Sequence, residues 1–311
     1  MADRINGVFV YRGRQAPQHI THARIDESVE EIEDDAFLDC TKLVHVETHN
    51  RIRKIGECAF NGCKSLPRID LKSVVEICDC GFYQCYKLQF VEFGDKLESI
   101  GSGAFRACSI EHLKLPSVVS VNANAFHFCT GLLDVEFSEK LERVASSAFC
   151  FCKSLQRIAI PLKRGLFSGH NAFHDCDGLV RVDLIRGVHK TVASLHKESW
   201  RAEMDTEINR INLLLPDTYR SNKTHVITEW MNSVIDRLDH YKAEHTSRMK
   251  KATTLLELAL WKAKLAEKED DCKESARKKL KIDTENVRKE KRVTCGADTV
   301  IKNVLPFLRL E

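Results

Sequence analysis

A five-residue word, Ala-Phe-x-x-Cys, returns at a nearly fixed interval along the first two thirds of the 311-residue chain. Its phenylalanines are Phe37, Phe60, Phe82, Phe105, Phe126, Phe149 and Phe173, 21 to 24 residues apart; Phe82 alone follows glycine instead of alanine. Its cysteines are Cys40, Cys63, Cys85, Cys108, Cys129, Cys152 and Cys176. A word that returns at every turn of a regular object is first a packing element. Periods of 20 to 29 residues belong to solenoids, in which each coil buries its apolar edge only by stacking on the next. The fourteen residues are therefore read as a buried spine.

Between the words lies a second pattern. Leu66-x-x-Ile69-x-Leu71 is followed by Val74-x-x-Ile77 and then by Phe82 and Cys85. Alternate side chains of a strand share a face, so Ile69 and Leu71 point inward and the residues beside them outward. Applied to every repeat, this rule sets His45, Arg68, Phe90, His112, Asp134, Arg157 and Arg181 in one outward column. A second column holds Glu47, Asp70, Glu92, Lys114, Glu136, Ala159 and Asp183. Strands stacked ~4.8 Å apart would make an acidic column self-repelling, and the basic column two residues away offsets it. The expected offsets are Arg68 with Asp70 and Arg181 with Asp183. The face reads either as a solvated sheet of mutually neutralised charge or as a surface for a polar protein partner, with Phe90 its central anchor. Ile20, Ala23 and Ile25 give an extra strand ahead of the first word, and "GVFVYRG" a cap for the open end.

The repeat "LxxIxLxxxVxxIGxxAFxxC", carried by "LPRIDLKSVVEI", "KLESIGSGAF", "HLKLPSVVSVNANAF" and "SLQRIAIP", resembles the BspA-type leucine-rich repeat over residues 8 to 190. The resemblance implies a right-handed leucine-rich-repeat solenoid of about seven coils and a role in binding or adhesion. The tail, with "EWMNSVIDRLDHYKAEH" and "ATTLLELALWKAKLAE", resembles a helical extension found on such proteins in diatoms and related algae.

Composition changes where the repeats stop. Thirteen of the 14 glycines and 14 of the 15 phenylalanines precede residue 190, and Asp217 to Cys295 holds neither glycine nor proline, a long-helix signal. The expected divisions are 1–35 (cap and first strand), 36–190 (repeats), 191–216 (capping helix), 217–295 (long helical, coiled-coil-like region) and 296–311 (apolar tail). Trp200, Met204, Ile208, Ile211 and Leu215 form one helical stripe ended by Pro216. A helix starting near Asn222 would carry a seam of Ile227, Met231, Val234, Leu238 and Tyr241. Further on, Leu255, Leu256, Leu258, Leu260, Trp261 and Leu265 surround the helix and predict burial on more than one side, by a hairpin within the chain or by another chain or second copy.

No chemistry is legible. Metalloprotease, phosphate-loop, dinucleotide and nucleophile-elbow motifs are absent. The pairs Cys78/Cys80 and Cys150/Cys152 fall at non-equivalent repeat places and do not converge on one ion. The histidines of the turn word, His127 and His174 among them, read as surface residues. No enzyme, cofactor or metal is expected. The start "MADRINGVFVYRG" lacks the apolar core of a signal peptide and no run is long enough to span a membrane, so the cysteines are read as reduced and the protein as cytoplasmic or nuclear. Nine Lys/Arg against four Asp/Glu from Lys273 to Arg292 offer an import signal or nucleic-acid contact, but no aromatic residue is there to stack on bases. The leading expectation is a non-enzymatic protein-interaction scaffold acting through the concave strand face, the helical tail or both. A nuclear or nucleic-acid-associated protein and a surface adhesin are the alternatives.

Overall fold

In the computed structural model, which describes residues 4–5, 8–169, 171–185, 187–195 and 197–278, each repeat makes one turn of a parallel β-solenoid. About seven such turns are followed by helices. The front of each turn is a strand of three or four residues. His112–Leu115, Asp134–Phe137, Arg157–Ile160 and Arg181–Leu184 pair in parallel and in register. Arg68–Leu71 and Phe90–Phe93 form a separate two-stranded segment, and Val8–Tyr11, His22–Ile25 and His45–Glu47 form another group. Two-residue strands from Glu31–Ile32 to Arg143–Val144 make a six-stranded sheet along a second side.

The Phe-x-x-Cys turns close each coil, and their geometry explains the spine. Two places per turn have left-handed backbone. The residue two before the phenylalanine is Asp35, Cys58, Cys80, Asn124 or Ser147, and the residue before the cysteine is Asp39, Gln84, Ala107, Phe128, Phe151 or Asp175, with φ between 53° and 61°. Glycine fills the first place at Gly103 and the second at Gly62. These bends aim alternate amides at the next coil. The amides of Cys58, Phe60 and Gly62 donate to the carbonyls of Asp79, Gly81 and Tyr83 at 3.0, 2.7 and 2.8 Å.

All seven phenylalanines are fully buried. Their rings stack from Phe37 to Phe173 with centroids 4.9 to 5.7 Å apart and planes within 16° of parallel. Offset stacking at this spacing adds about 0.5–1.5 kcal/mol per pair beyond area burial. Tyr11, also fully buried, heads the ladder 5.1 Å from Phe37 and accepts the amide hydrogen of Glu33 on its hydroxyl.

The helices are α1 (Gly187–Ala193), α2 (Glu198–Leu214) and α3 (Lys223–Lys278), with a 3-10 turn at Leu215–Asp217 between the last two. Two units divide the chain: Met1–Ala193 with Met204–Ile235, and Ser194–Glu203 with Asp236 onward. In the first unit Met204, Ile208, Ile211 and Leu215 are buried with Ile227, Trp230, Met231 and Val234. Three polar side chains there serve the last coil. Asn212 Oδ1 accepts the Val182 amide at 2.8 Å, Thr224 Oγ1 accepts the Phe173 amide at 2.9 Å, and Lys223 Nζ donates to the carbonyls of Asp177 and Leu179. In the second unit Trp200 stacks on Tyr241 at 4.8 Å, and the Arg248 guanidinium lies over the Trp200 ring.

In the apolar stretch of the tail Leu255, Leu258, Leu260, Trp261 and Leu265 are exposed within this chain, Leu256, Ala259 and Ala263 are half-buried, and Ala252 is buried, which leaves cover by another chain or a second copy as the expectation for the exposed side chains. With no glycine or proline to break it, α3 runs as one helix past this stretch, so it makes no hairpin among the described residues. No described helix is long and apolar enough to cross a membrane. The basic stretch lies in the described helix only from Lys273 to Lys278; residues 279–292 and the tail 296–311 lie outside the described residues.

Candidate partner-binding face

Strand alternation sets the outward face. Within Arg68–Leu71 and His112–Leu115 the pattern is exposed, buried, exposed, buried. The in-register pairs Arg68/Phe90, His112/Asp134, Asp134/Arg157 and Arg157/Arg181 make one column; Asp70/Glu92, Lys114/Glu136 and Ala159/Asp183 make the other. His45 and Glu47 continue them, and His22 and Arg24 extend both by one coil. Those last two carried the same alternation in "HARI", so the signal for them was present and unused.

Charge on this face is mostly paired. Arg24 meets Glu47 at 2.5 Å, His112 meets Asp134, and Arg157 and Arg181 both reach Asp183, at 2.6 and 2.9 Å. Burial alone would raise the Asp183 carboxyl; hydrogen bonds from Arg181 and Arg157 outweigh it and hold the group below its ordinary value. The expected Arg68 with Asp70 offset does not form. Lys72, which strand alternation did not mark, takes both Asp70 and Glu92, and its hydrogen bond lowers the Glu92 carboxyl. Lys72, just after the strand, is long enough to sit between Asp70 on its own coil and Glu92 on the next, and it takes the place Arg68 was expected to fill.

Arg68 is thus left exposed, with no ion pair to a carboxylate among the described residues, beside Phe90, which is 61% exposed. Both stand on the two-stranded segment in the middle of the front face. Lys114 and Glu136 are exposed nearby. The arrangement offers an aromatic platform, a guanidinium without an ion pair, and a rim whose charge is mostly paired, Lys114 and Glu136 excepted. Nothing in it resembles a reaction centre. Among the described residues, no group of three or more His, Cys, Asp or Glu side chains is placed to hold a metal ion.

The spine cysteines face inward, and their thiols serve the main chain. The Sγ atoms of Cys63, Cys85, Cys108, Cys129, Cys152 and Cys176 lie 3.0 to 3.2 Å from the carbonyl oxygen of the preceding coil's phenylalanine. Cys40, with no phenylalanine turn before it, reaches Pro17 O at 3.7 Å.

A family model described as the BspA type leucine rich repeat region matches in six copies, over residues 16–129, 65–180 and 98–201. The chain belongs to that family. The BspA-type repeat suggests a protein-interaction scaffold and is typically non-catalytic. No curated protein matches the chain. Among solved structures it is similar to a leucine-rich repeat protein of T. pallidum, with 24% identity and a TM-score of 0.39 over 57% of this chain and 73% of that one. It is similar to a leucine-rich repeat protein of Bacteroides ovatus, with 20% identity and a TM-score of 0.31 over 57% and 64%. A leucine-rich cell surface protein of Faecalibacterium prausnitzii gives 18% identity and a TM-score of 0.23 over 53% and 79%. The chain therefore spans less than two thirds of the Bacteroides protein's length.

Proposed function

We propose that this BspA-type solenoid is a non-enzymatic interaction scaffold that captures a protein partner on its outward strand face, with Arg68 and Phe90 at the centre of the contact. The observation that carries this reading is the exposure of Phe90 beside an Arg68 left unpaired, on a face whose other charges largely neutralise one another. Arginine and aromatic side chains dominate the energetics of protein interfaces, whereas rim charges that already hold partners contribute little. The partner would present a carboxylate to Arg68 and an apolar or aromatic side chain to Phe90. Seven buried thiols at one repeat position support the reading that the scaffold works in a reducing compartment.

The test is capture from a lysate of the source cells by the full chain with a photo-crosslinker at Lys114, exposed on the same face as Phe90, against a control with the crosslinker at Lys54 on the second sheet. Replacing Arg68, Phe90 and Arg157 together by alanine leaves the fold intact and removes the captured protein. Equal capture by the triple variant, or the same adducts from position 54, sinks the reading.

A further inference from the structure

The exposed side of α3 is a second, separate surface. Lys251, Leu255, Leu258, Lys262 and Leu265 follow one another at spacings of four, three, four and three, the a/d rhythm of a coiled-coil seam. All five are exposed, and Trp261, 61% exposed, flanks the line. One flank of the same turns, about 100° around the helix from the leucine line, holds buried Ala252 and half-buried Leu256, Ala259 and Ala263, and the leucine line is the more open side. About 15 residues at ~1.5 Å rise give an open stripe of roughly 20 Å, about five a/d layers of a helix pair.

Charge decides what fits. From Lys250 to Lys268 the chain carries five lysines and two glutamates. Lys251 and Lys262 stand within the seam itself, with no carboxylate in ion-pairing reach among the described residues. Two copies of this helix, in either direction, would set each seam lysine against lysine or leucine, which buries an ammonium without a counter-charge. A bilayer surface wants an unbroken apolar face with a polar one behind it. Here lysines interrupt the apolar line at two of its five positions.

We propose that the seam Lys251–Leu265 docks an amphipathic helix of another protein that lays an apolar stripe on Leu255, Leu258, Trp261 and Leu265 and sets carboxylates opposite Lys251 and Lys262. The two lysines fix register and direction, as single polar seam positions do in coiled coils, and the leucines and tryptophan supply the buried area. This site is independent of Arg68 and Phe90.

The experiment titrates the full chain with a synthetic three-heptad peptide carrying leucine at its seam positions and glutamate opposite the lysines, and with its lysine-substituted counterpart. Emission of Trp261 is the readout, since Trp200 and Trp230 are buried, and a Trp261→Phe variant identifies the signal. The acidic peptide blue-shifts the emission and the basic one does not. Lys262→Glu weakens the acidic peptide about tenfold or more, and the basic peptide binds that variant instead. This reciprocal exchange separates loss of docking from loss of folding. Equal binding of both peptides overturns the proposal. So does a blue shift given only by phosphatidylserine vesicles, or a dimer in sedimentation that neither peptide disturbs.

Discussion

The thiol of Cys129 lies 3.1 Å from the carbonyl oxygen of Phe105, one coil earlier, on the oxygen that also accepts the amide hydrogen of Cys108. The sulfur thus couples two turns whose rings are also stacked, Phe105 on Phe126 at 5.4 Å. The bond requires the protonated thiol. Complete burial enforces that state by pushing the Cys129 group up to about 12. Cys40 is pushed up to about 11, first by burial and then by Asp39.

Alkaline pH should therefore unfold this protein steeply. A thiol raised in the folded chain contributes stability that is fully present below its unfolded value near 9 and is lost as pH climbs toward the folded value, about 12 for Cys129. Within that window each such thiol removes ~1.4 kcal/mol per pH unit. The urea midpoint at pH 8, 9, 10 and 10.5 measures the slope, and Cys129→Ala should flatten it by one proton equivalent while costing stability at pH 8. An unchanged slope would mean that Cys129 does not stay protonated in the fold.

The middle of the phenylalanine ladder should be its most sensitive point. Phe105 stacks on Phe82 and Phe126 and meets Phe93 edge-on at 5.7 Å. Phe105→Ala should cost ~3–5 kcal/mol, and the loss should spread to the neighbouring coils because they share one continuous core. Hydrogen exchange would then show the amides of Phe82 and Phe126 opening with the mutated turn. Confinement of faster exchange to residues 103–108 would contradict a shared core.

Small residues in the turns should respond in opposite ways. Ala107 holds a φ of 61°, a conformation that costs an L-residue ~1–2 kcal/mol, so Ala107→Gly should stabilise by about 0.5–1 kcal/mol despite glycine's greater freedom when unfolded. Gly101 is the reverse. A Cβ there would fall 2.5 Å from the Cys78 carbonyl carbon, beside the Asp79 carboxylate that accepts the Ser102 amide. Gly101→Ala must push two coils apart, and a loss of ~1–3 kcal/mol is expected. Thermal melts of the two variants check both signs.

Period and alternation are what made this chain legible. Phe60 and Cys63 could be assigned to the core because six other copies occupy the same register, and Arg68 or Phe90 to the outside because Ile69 and Leu71 share the other face. Side chains that act between coils escaped this logic. Lys72 lies just outside a strand, and its choice of Glu92 over free solvent depends on a neighbour 20 residues on. Asn212, Lys223 and Thr224 had no local mark either. Their task depends on where the 3-10 turn at Leu215–Asp217 delivers α3, which is a property of packing and not of spacing. The open seam of α3 was hidden for a related reason, since an apolar segment says that something should cover it and not whether anything does.

Thr224 gives the sharpest test of how the last coil is closed. In the turns before it, the phenylalanine amide donates to a carbonyl of the following coil, as Phe149 does to Ala172 at 2.9 Å. Phe173 has no following coil, and Thr224 Oγ1 takes that place at 2.9 Å in a buried position. Thr224→Val keeps the shape and removes the acceptor, leaving a buried amide without a partner at a cost of ~1–3 kcal/mol. Thr224→Ser should restore most of it. The Phe173 amide should exchange faster in the valine variant while Phe82, four coils away, is unaffected at low denaturant. If valine is tolerated without loss and the Phe173 amide stays protected, the end of the solenoid is sealed by the apolar contacts of Ile227 and Trp230 alone, and the hydroxyl is incidental.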